Sequence, residues 1–112
     1  MRWAAVCSFD HLVPDRGVCA LIDGEQVAVF RLSSGEVCAL ANRDPFSGAY
    51  VLSRGLVGCR DGEPVVVSPM HKQAFSLRTG VSVDEPSTSV DVYSVRISEG
   101  MVEVALTVAA VA

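Results

Sequence analysis

The residues of this chain with the strongest affinity for transition metals are four cysteines, Cys7, Cys19, Cys38 and Cys59, and two histidines, His11 and His71. Zinc and iron–sulfur sites usually take their ligands in close pairs. Here the cysteines are 12, 19 and 21 positions apart, and no C-x-x-C or C-x-H pair occurs. That spacing predicts reduced thiols, with Cys7, Cys19 and Cys38 serving as small apolar side chains. Cys59 is less easily assigned, since it lies beside Arg60 and an Asp61-Gly62 turn. Ser53 or Ser68 could pair with His71, but no spacing implies the acid that would orient the imidazole for nucleophilic attack. There is no G-x-G-x-x-G and no phosphate-binding P-loop. The remaining candidates fall in two polar loops, Asn42–Ala49 and Ser68–Gln73, each with a proline that fixes φ. Loops held by a rigid sheet are where small β domains place their function.

The elements that must position those loops read as strands. Valine is the commonest residue, 20 of 112, and its branched Cβ suits a pleated surface. Strands are predicted over Gly17–Ile22, Gln26–Leu32, Glu36–Ala41, Pro64–Ser68, Ala74–Leu77, Val90–Ile97 and Met101–Val108. Turns at Asp23-Gly24, Ser34-Gly35, Asp61-Gly62, Thr79-Gly80 and Glu99-Gly100 punctuate them. Helical patterning is thin, with room for a single turn in Ser8–Val13, capped by Ser8 or Asp10, and another in Tyr50–Leu56. The expected fold is all-β, a small antiparallel sandwich or barrel, and the length predicts one domain over residues 1–112.

Composition narrows the function further. Half of the residues are apolar and 20% are charged, which excludes disorder. The longest stretch without a charge is nine residues, whereas a spanning helix needs about twenty, so no membrane association is expected. Seven residues separate Arg2 from Asp10, too few for the apolar part of a secretory signal, and a cytoplasmic location is expected. The net charge of −4 argues against nucleic acid as a partner. The charge is uneven: Arg43 to Arg78 holds five basic and three acidic residues, net +2, and the remainder four and ten, net −6.

The two loops and their surroundings resemble the Rieske [2Fe–2S] family. There the first loop carries C-P-H, usually followed by G-A and L-S. The second carries C-P-x-H and leads into F-x-L-x-T-G. This chain has Asp44-Pro45-Phe46, Gly48-Ala49 and Leu52-Ser53 at the first, and Ser68-Pro69-Met70-His71 followed by Phe75-Ser76-Leu77-Arg78-Thr79-Gly80 at the second. The resemblance implies a Rieske-like fold with both loops at the former cluster site. A Rieske centre needs two thiolates on one iron and two imidazoles on the other. Of the four degenerate positions, Asp44, Phe46, Ser68 and His71, only His71 keeps a ligand of the family's type, so no metal and no cofactor are expected in this chain.

Within that family the loops are similar to those of the small subunits of assimilatory NAD(P)H-dependent nitrite reductases. This implies a non-catalytic chain that partners a large catalytic subunit, which carries FAD, an iron–sulfur cluster and siroheme and reduces nitrite to ammonium. The alternatives are a Rieske-type ferredoxin using unusual ligands and a free-standing interaction module. Residue by residue, Asp44 reads as the cap of an Asx turn. Phe46 either plugs the space a cluster would fill or faces out as an anchor, and burial favours the plug. His71 is a polar surface residue, a relic or a partner contact. Arg43, Phe46, His71 and Lys72 are the candidates for contacting the large subunit, steered by the local positive charge. Arg78 is a further candidate at the rim. The rival anchor is the apolar tail from Val104 to Ala112.

Overall fold

The computed structural model describes residues 2–108, with side chains as far as 106. Of the tail Val104–Ala112 named as a rival anchor, Val104 is fully buried and residues 109–112 lie outside the described residues. Nine strands are described: β1 (Ala4–Ser8), β2 (Gly17–Ile22), β3 (Glu25–Arg31), β4 (Val37–Ala41), β5 (Leu56–Arg60), β6 (Glu63–Val67), β7 (Ala74–Ser76), β8 (Val92–Ser98) and β9 (Met101–Val108). One sheet has the order β1-β9-β8-β4-β3-β2 and the other β5-β6-β7. All named strand pairs are antiparallel. The all-β architecture expected from the sequence is therefore present.

Strand β3 explains how the two sheets cohere. Its Val27-Ala28-Val29-Phe30 is fully buried, because each of its faces has a core of its own. Val27 and Val29 meet Leu12, Ile22, Ala39, Tyr93, Val102 and Val104 inside the curled six-stranded sheet. Ala28 and Phe30 face the other way, against Leu40, Leu52, Val66, Phe75 and Leu77, where the three-stranded sheet packs. A strand buried on both sides reads as a continuous apolar run. The second core carries the loops, since β6, β7 and the turn at Leu52 all reach into it.

Two strands are absent from the sequence reading. The Ala4-Ala5-Val6-Cys7-Ser8 segment has no polar alternation, and it is a strand because β9 offers it an edge, with a register shift between Ala5 and Cys7. Leu56–Arg60 pairs with β6 across the Asp61-Gly62 turn, although Leu56 is 74% exposed and gives no half-buried pattern. The two expected helical turns are 3-10 turns, Phe9–His11 and Leu52–Arg54. Ser8 caps the first by accepting from the Asp10 backbone N–H. Arg31 secures it by lying over the Phe9 ring at 4.0 Å and donating from Nη1 to the Leu12 carbonyl, 3.1 Å.

Candidate functional site

The two loops are built alike. In the first, the Asp44 N–H donates to the Ala49 carbonyl (2.8 Å) and the Gly48 N–H donates back to the Asp44 carbonyl (2.7 Å). In the second, the Ser68 N–H donates to the Gln73 carbonyl (2.8 Å) and the Lys72 N–H to the Ser68 carbonyl (3.1 Å). In each, proline follows the leading residue, whose side chain accepts from the N–H two positions on. Phe46 donates to Asp44 Oδ1 at 2.8 Å, and Met70 to Ser68 Oγ at 3.3 Å. In each, the fifth residue has positive φ: Gly48 at 78° and Lys72 at 62°. Glycine takes that conformation freely, whereas a residue with a Cβ is strained there by about 1–2 kcal/mol.

Asn42, which the sequence reading did not single out, anchors the first loop. Buried at the end of β4, it accepts from the Ser53 N–H at Oδ1 (2.7 Å) and donates from Nδ2 to Gln26 Oε1 (3.1 Å) and to Cys19 Sγ (3.5 Å). It ties the loop to β2, β3 and the 3-10 turn at once.

The leading residues of the two loops meet. Ser68 Oγ donates to Asp44 Oδ2 at 2.6 Å, and both side chains are fully shielded from solvent. The Asx turn expected at Asp44 is present through Oδ1, and the second oxygen joins the loops. Burial on its own would raise the Asp44 pKa. Hydrogen bonds from Ser68, from the Phe46 backbone and from Ser47 outweigh burial and hold the carboxyl below the usual carboxylate range.

Phe46 is half-buried and packs against the loop-side core. Its ring lies 5.9 Å from that of Phe75, tilted by 43°. One side of the ring is thus in the core and the other is open to solvent. Phe46→Ala should cost about 2 kcal/mol, below the 3–5 typical of a fully buried phenylalanine. Thermal unfolding checks this: no loss would place Phe46 outside the core, and a loss above about 4 kcal/mol would make it a full core residue.

His71, Lys72 and Arg43 are exposed. Arg43 lies along its own loop, so close that a Cβ on Gly48 would sit 3.3 Å from its Nη2. Of the basic residues in this third of the chain, Arg78 is paired with Glu36 (3.0 Å) and Arg60 with Asp84 (3.3 Å). Among the described residues no carboxylate lies within ion-pair distance of Arg43 or Lys72. Two exposed apolar residues flank them, Tyr50 and Met70, 55% and 49% exposed. Tyr50 is bridged to Arg43 across the loop base. Neither stood out in the sequence, where each reads as an ordinary loop residue.

The four positions do not fit a Rieske cluster. Where the family places its two thiolates, a carboxylate and a hydroxyl hold each other at hydrogen-bond distance. Where it places its first imidazole there is a phenyl ring, which has no lone pair to give. No group of three or more His, Cys, Asp or Glu with metal-binding geometry occurs among the described residues. The cysteines offer no substitute. Cys38 is buried, with its thiol pushed up to about 12 by burial and by Glu36, and a thiol so hard to ionise is a poor ligand. Cys7 is partly buried and Cys59 exposed. Cys19 corrects the expectation of a small apolar side chain: it is exposed on the edge strand β2, with its thiol against Gln26 Oε1 and Asn42 Nδ2.

The sequence matches the Rieske-like [2Fe-2S] domain family over residues 2–105. It is 45% identical over 103 residues to the nitrite reductase (NADH) small subunit of Salmonella typhimurium, covering 91% of this chain and 95% of that one. It is 40% identical over 100 residues to part of the nitrite reductase [NAD(P)H] large subunit of Klebsiella oxytoca, covering 89% of this chain but 10% of that protein. Among solved structures it is similar to a Mycobacterium tuberculosis chain described as an NADH-dependent nitrite reductase small subunit. The TM-score is 0.90 and the identity 52%, over 92% of this chain and 93% of the other.

Proposed function

This chain belongs to the Rieske-like [2Fe–2S] domain family, in its branch of nitrite reductase small subunits, and we propose that it acts, as one domain, as the non-catalytic small subunit of a cytoplasmic NAD(P)H-dependent nitrite reductase. On this reading the large subunit is its partner and supplies FAD, an iron–sulfur cluster and siroheme for the reduction of nitrite to ammonium. The small subunit holds no cofactor and contributes no reacting group. The observation that carries this is the Asp44–Ser68 hydrogen bond, which holds together the two loops that bound iron would hold together in a Rieske centre. The Klebsiella relative supports the pairing, since there a similar sequence is part of the large subunit.

The loop face is the proposed docking surface, with Arg43, His71 and Lys72 exposed on it and Phe46 half-exposed among them. Lys72 supports this by its backbone. It keeps a side chain at a φ of 62°, where the matching residue of the first loop is glycine. Strain of this kind clusters at functional sites, and the other non-glycine residues with positive φ, Asp15, Asp23, Asp61 and Glu99, lie in turns. Exposed Tyr50 and Met70 supply the apolar contact that interface cores favour.

Co-purification with the large subunit tests the assignment. The two chains should elute together, and failure of the wild-type chain to bind would overturn it. Charge reversal at Arg43 and Lys72 should slow association and reduce its salt dependence. Lys72→Gly separates docking from folding: it should stabilise the chain by about 1 kcal/mol while weakening the complex. A variant that is more stable and binds as well as wild type would remove Lys72 from the interface.

A further inference from the structure

Outside the loops, the most unusual surface is the gap in the six-stranded sheet. Its two end strands, β1 and β2, are not hydrogen-bonded to each other. Between them lies a groove of about 330 Å³, lined by Ala5 and Cys7 from one strand, by Cys19 and Leu21 from the other, and by His11 and Leu12.

The two banks are guarded differently. Folded proteins protect exposed strand edges with charges, prolines, bulges or short length. Strand β1 has a bulge between Ala5 and Cys7. Strand β2 has none of these protections. Its six residues, Gly17-Val18-Cys19-Ala20-Leu21-Ile22, carry no charge and no proline. All six pair with β3 in unbroken register. Leu21 is 73% exposed.

The turn fixes which backbone groups of β2 are free. Asp23 and Gly24 both have positive φ, 48° and 83°, the two-residue turn that closes on a hydrogen-bonded pair. That pair is Ile22 with Glu25. Pairs alternate along an antiparallel ladder, so Ala20 and Val18 also bond to β3, while Leu21 and Cys19 turn their N–H and C=O away from it, towards the groove. The partner strand agrees: Gln26, opposite Leu21, points its carbonyl away from β2 and accepts from Asn42 N–H at 3.1 Å.

We propose that this groove takes an extended, uncharged segment of the large subunit, which adds to β2 as a further strand and hydrogen-bonds to Cys19 and Leu21. The inference rests on the reading of the chain as the small subunit, since that reading names the partner. An extended backbone is the ligand whose chemistry matches a row of free N–H and C=O groups beside apolar side chains. A second folded copy of this chain fits less well, because its edge strand brings a neighbouring strand about 4.8 Å behind it, on the side where β1 forms the opposite bank.

Amide hydrogen exchange, on the free chain and on its complex with the large subunit, tests the register directly. In the free chain Cys19 and Leu21 should exchange quickly, and Val18 and Ala20 slowly. In the complex Cys19 and Leu21 should slow by about tenfold or more. Leu21→Pro removes an outward N–H without removing a bond to β3, and should weaken the complex at least about tenfold. Leu21→Lys, which only adds a charge at an exposed site, should do the same if the proline variant misfolds. Unchanged exchange at Cys19 and Leu21 within a formed complex overturns the groove and leaves the subunit assignment standing. Absence of any complex with the wild-type chain overturns both. An isolated chain that sediments as a dimer, and as a monomer after Leu21→Lys, overturns the choice of the large subunit as occupant.

Discussion

Asp44→Ala is expected to destabilise the domain by about 3 kcal/mol, because the carboxylate accepts from the Phe46 N–H and the Ser68 hydroxyl in a fully shielded site and each bond to a charged acceptor contributes roughly 1.5–3 kcal/mol. Its loss also leaves the Ser68 hydroxyl buried without its acceptor. Ser68→Ala should cost less, about 2 kcal/mol, since Asp44 keeps the Phe46 N–H. The double variant should cost less than the sum, with a coupling of about 1.5 kcal/mol, as groups in direct contact do not add. Additive losses in equilibrium unfolding would show that the two loops are not joined through this bond.

The same carboxylate gives the expected pH dependence. Its folded pKa lies below the usual carboxylate value, so its contribution to stability is complete above its unfolded pKa, about 3.9. That contribution is lost as the pH falls through the lower, folded value. The stability gap between the wild-type chain and Asp44→Asn should therefore be constant near neutrality and close below about pH 4. A gap that widens on acidification would contradict a depressed folded pKa.

Gly80→Ala is expected to be at least as damaging, at roughly 3–4 kcal/mol, from a left-handed backbone together with overpacking. Gly80 has φ of 76°, and a Cβ there would run into the carbonyl oxygen of Val90 and lie 2.8 Å from Val92 Cγ2. The Val90 oxygen belongs to backbone held by the bond from Val90 N–H to the Gly80 carbonyl, so it has little room to yield. Gly24→Ala is the control. It shares the positive φ, at 83°, but meets nothing within 4 Å, and should cost only about 1 kcal/mol. Equal losses in the two variants would mean that the close approach at Gly80 is unimportant.

Gly80 also shows what was legible beforehand. The Phe75-Ser76-Leu77-Arg78-Thr79-Gly80 string carried the resemblance to the family, and the structure gives its physical content. Phe75 and Leu77 fill the loop-side core. Ser76 Oγ accepts from the Arg78 and Thr79 N–H groups, and Gly80 makes the close turn. Strands marked by turns and apolar runs, such as β2, β3 and β9, were legible because the local signal and the packing agree. Strands β1 and β5 were not, because their pairing is supplied by β9 and β6 and not by their own alternation.

The loops were legible one at a time. Asp44 reads as an Asx cap, and that turn is present; Ser68 reads as the place of a lost thiolate. Their contact spans 24 positions, and no periodicity connects residues so far apart. Asn42 was missed for the same reason: its partners Cys19, Gln26 and Ser53 come from three other segments. Cys19 was misjudged because an edge strand exposes residues that the same sequence would bury in the middle of a sheet.

Iron content is the most direct test of a small subunit whose loops hold each other in place of a cluster. The chain should be purified anaerobically, with and without the large subunit, and the separated small subunit assayed for iron and for the absorption and electron paramagnetic resonance of a [2Fe–2S] centre. A colourless chain without stoichiometric iron is the expected result. Iron at two atoms per chain that survives chelation, with a Rieske-type signal, would contradict the account and make this chain an electron carrier.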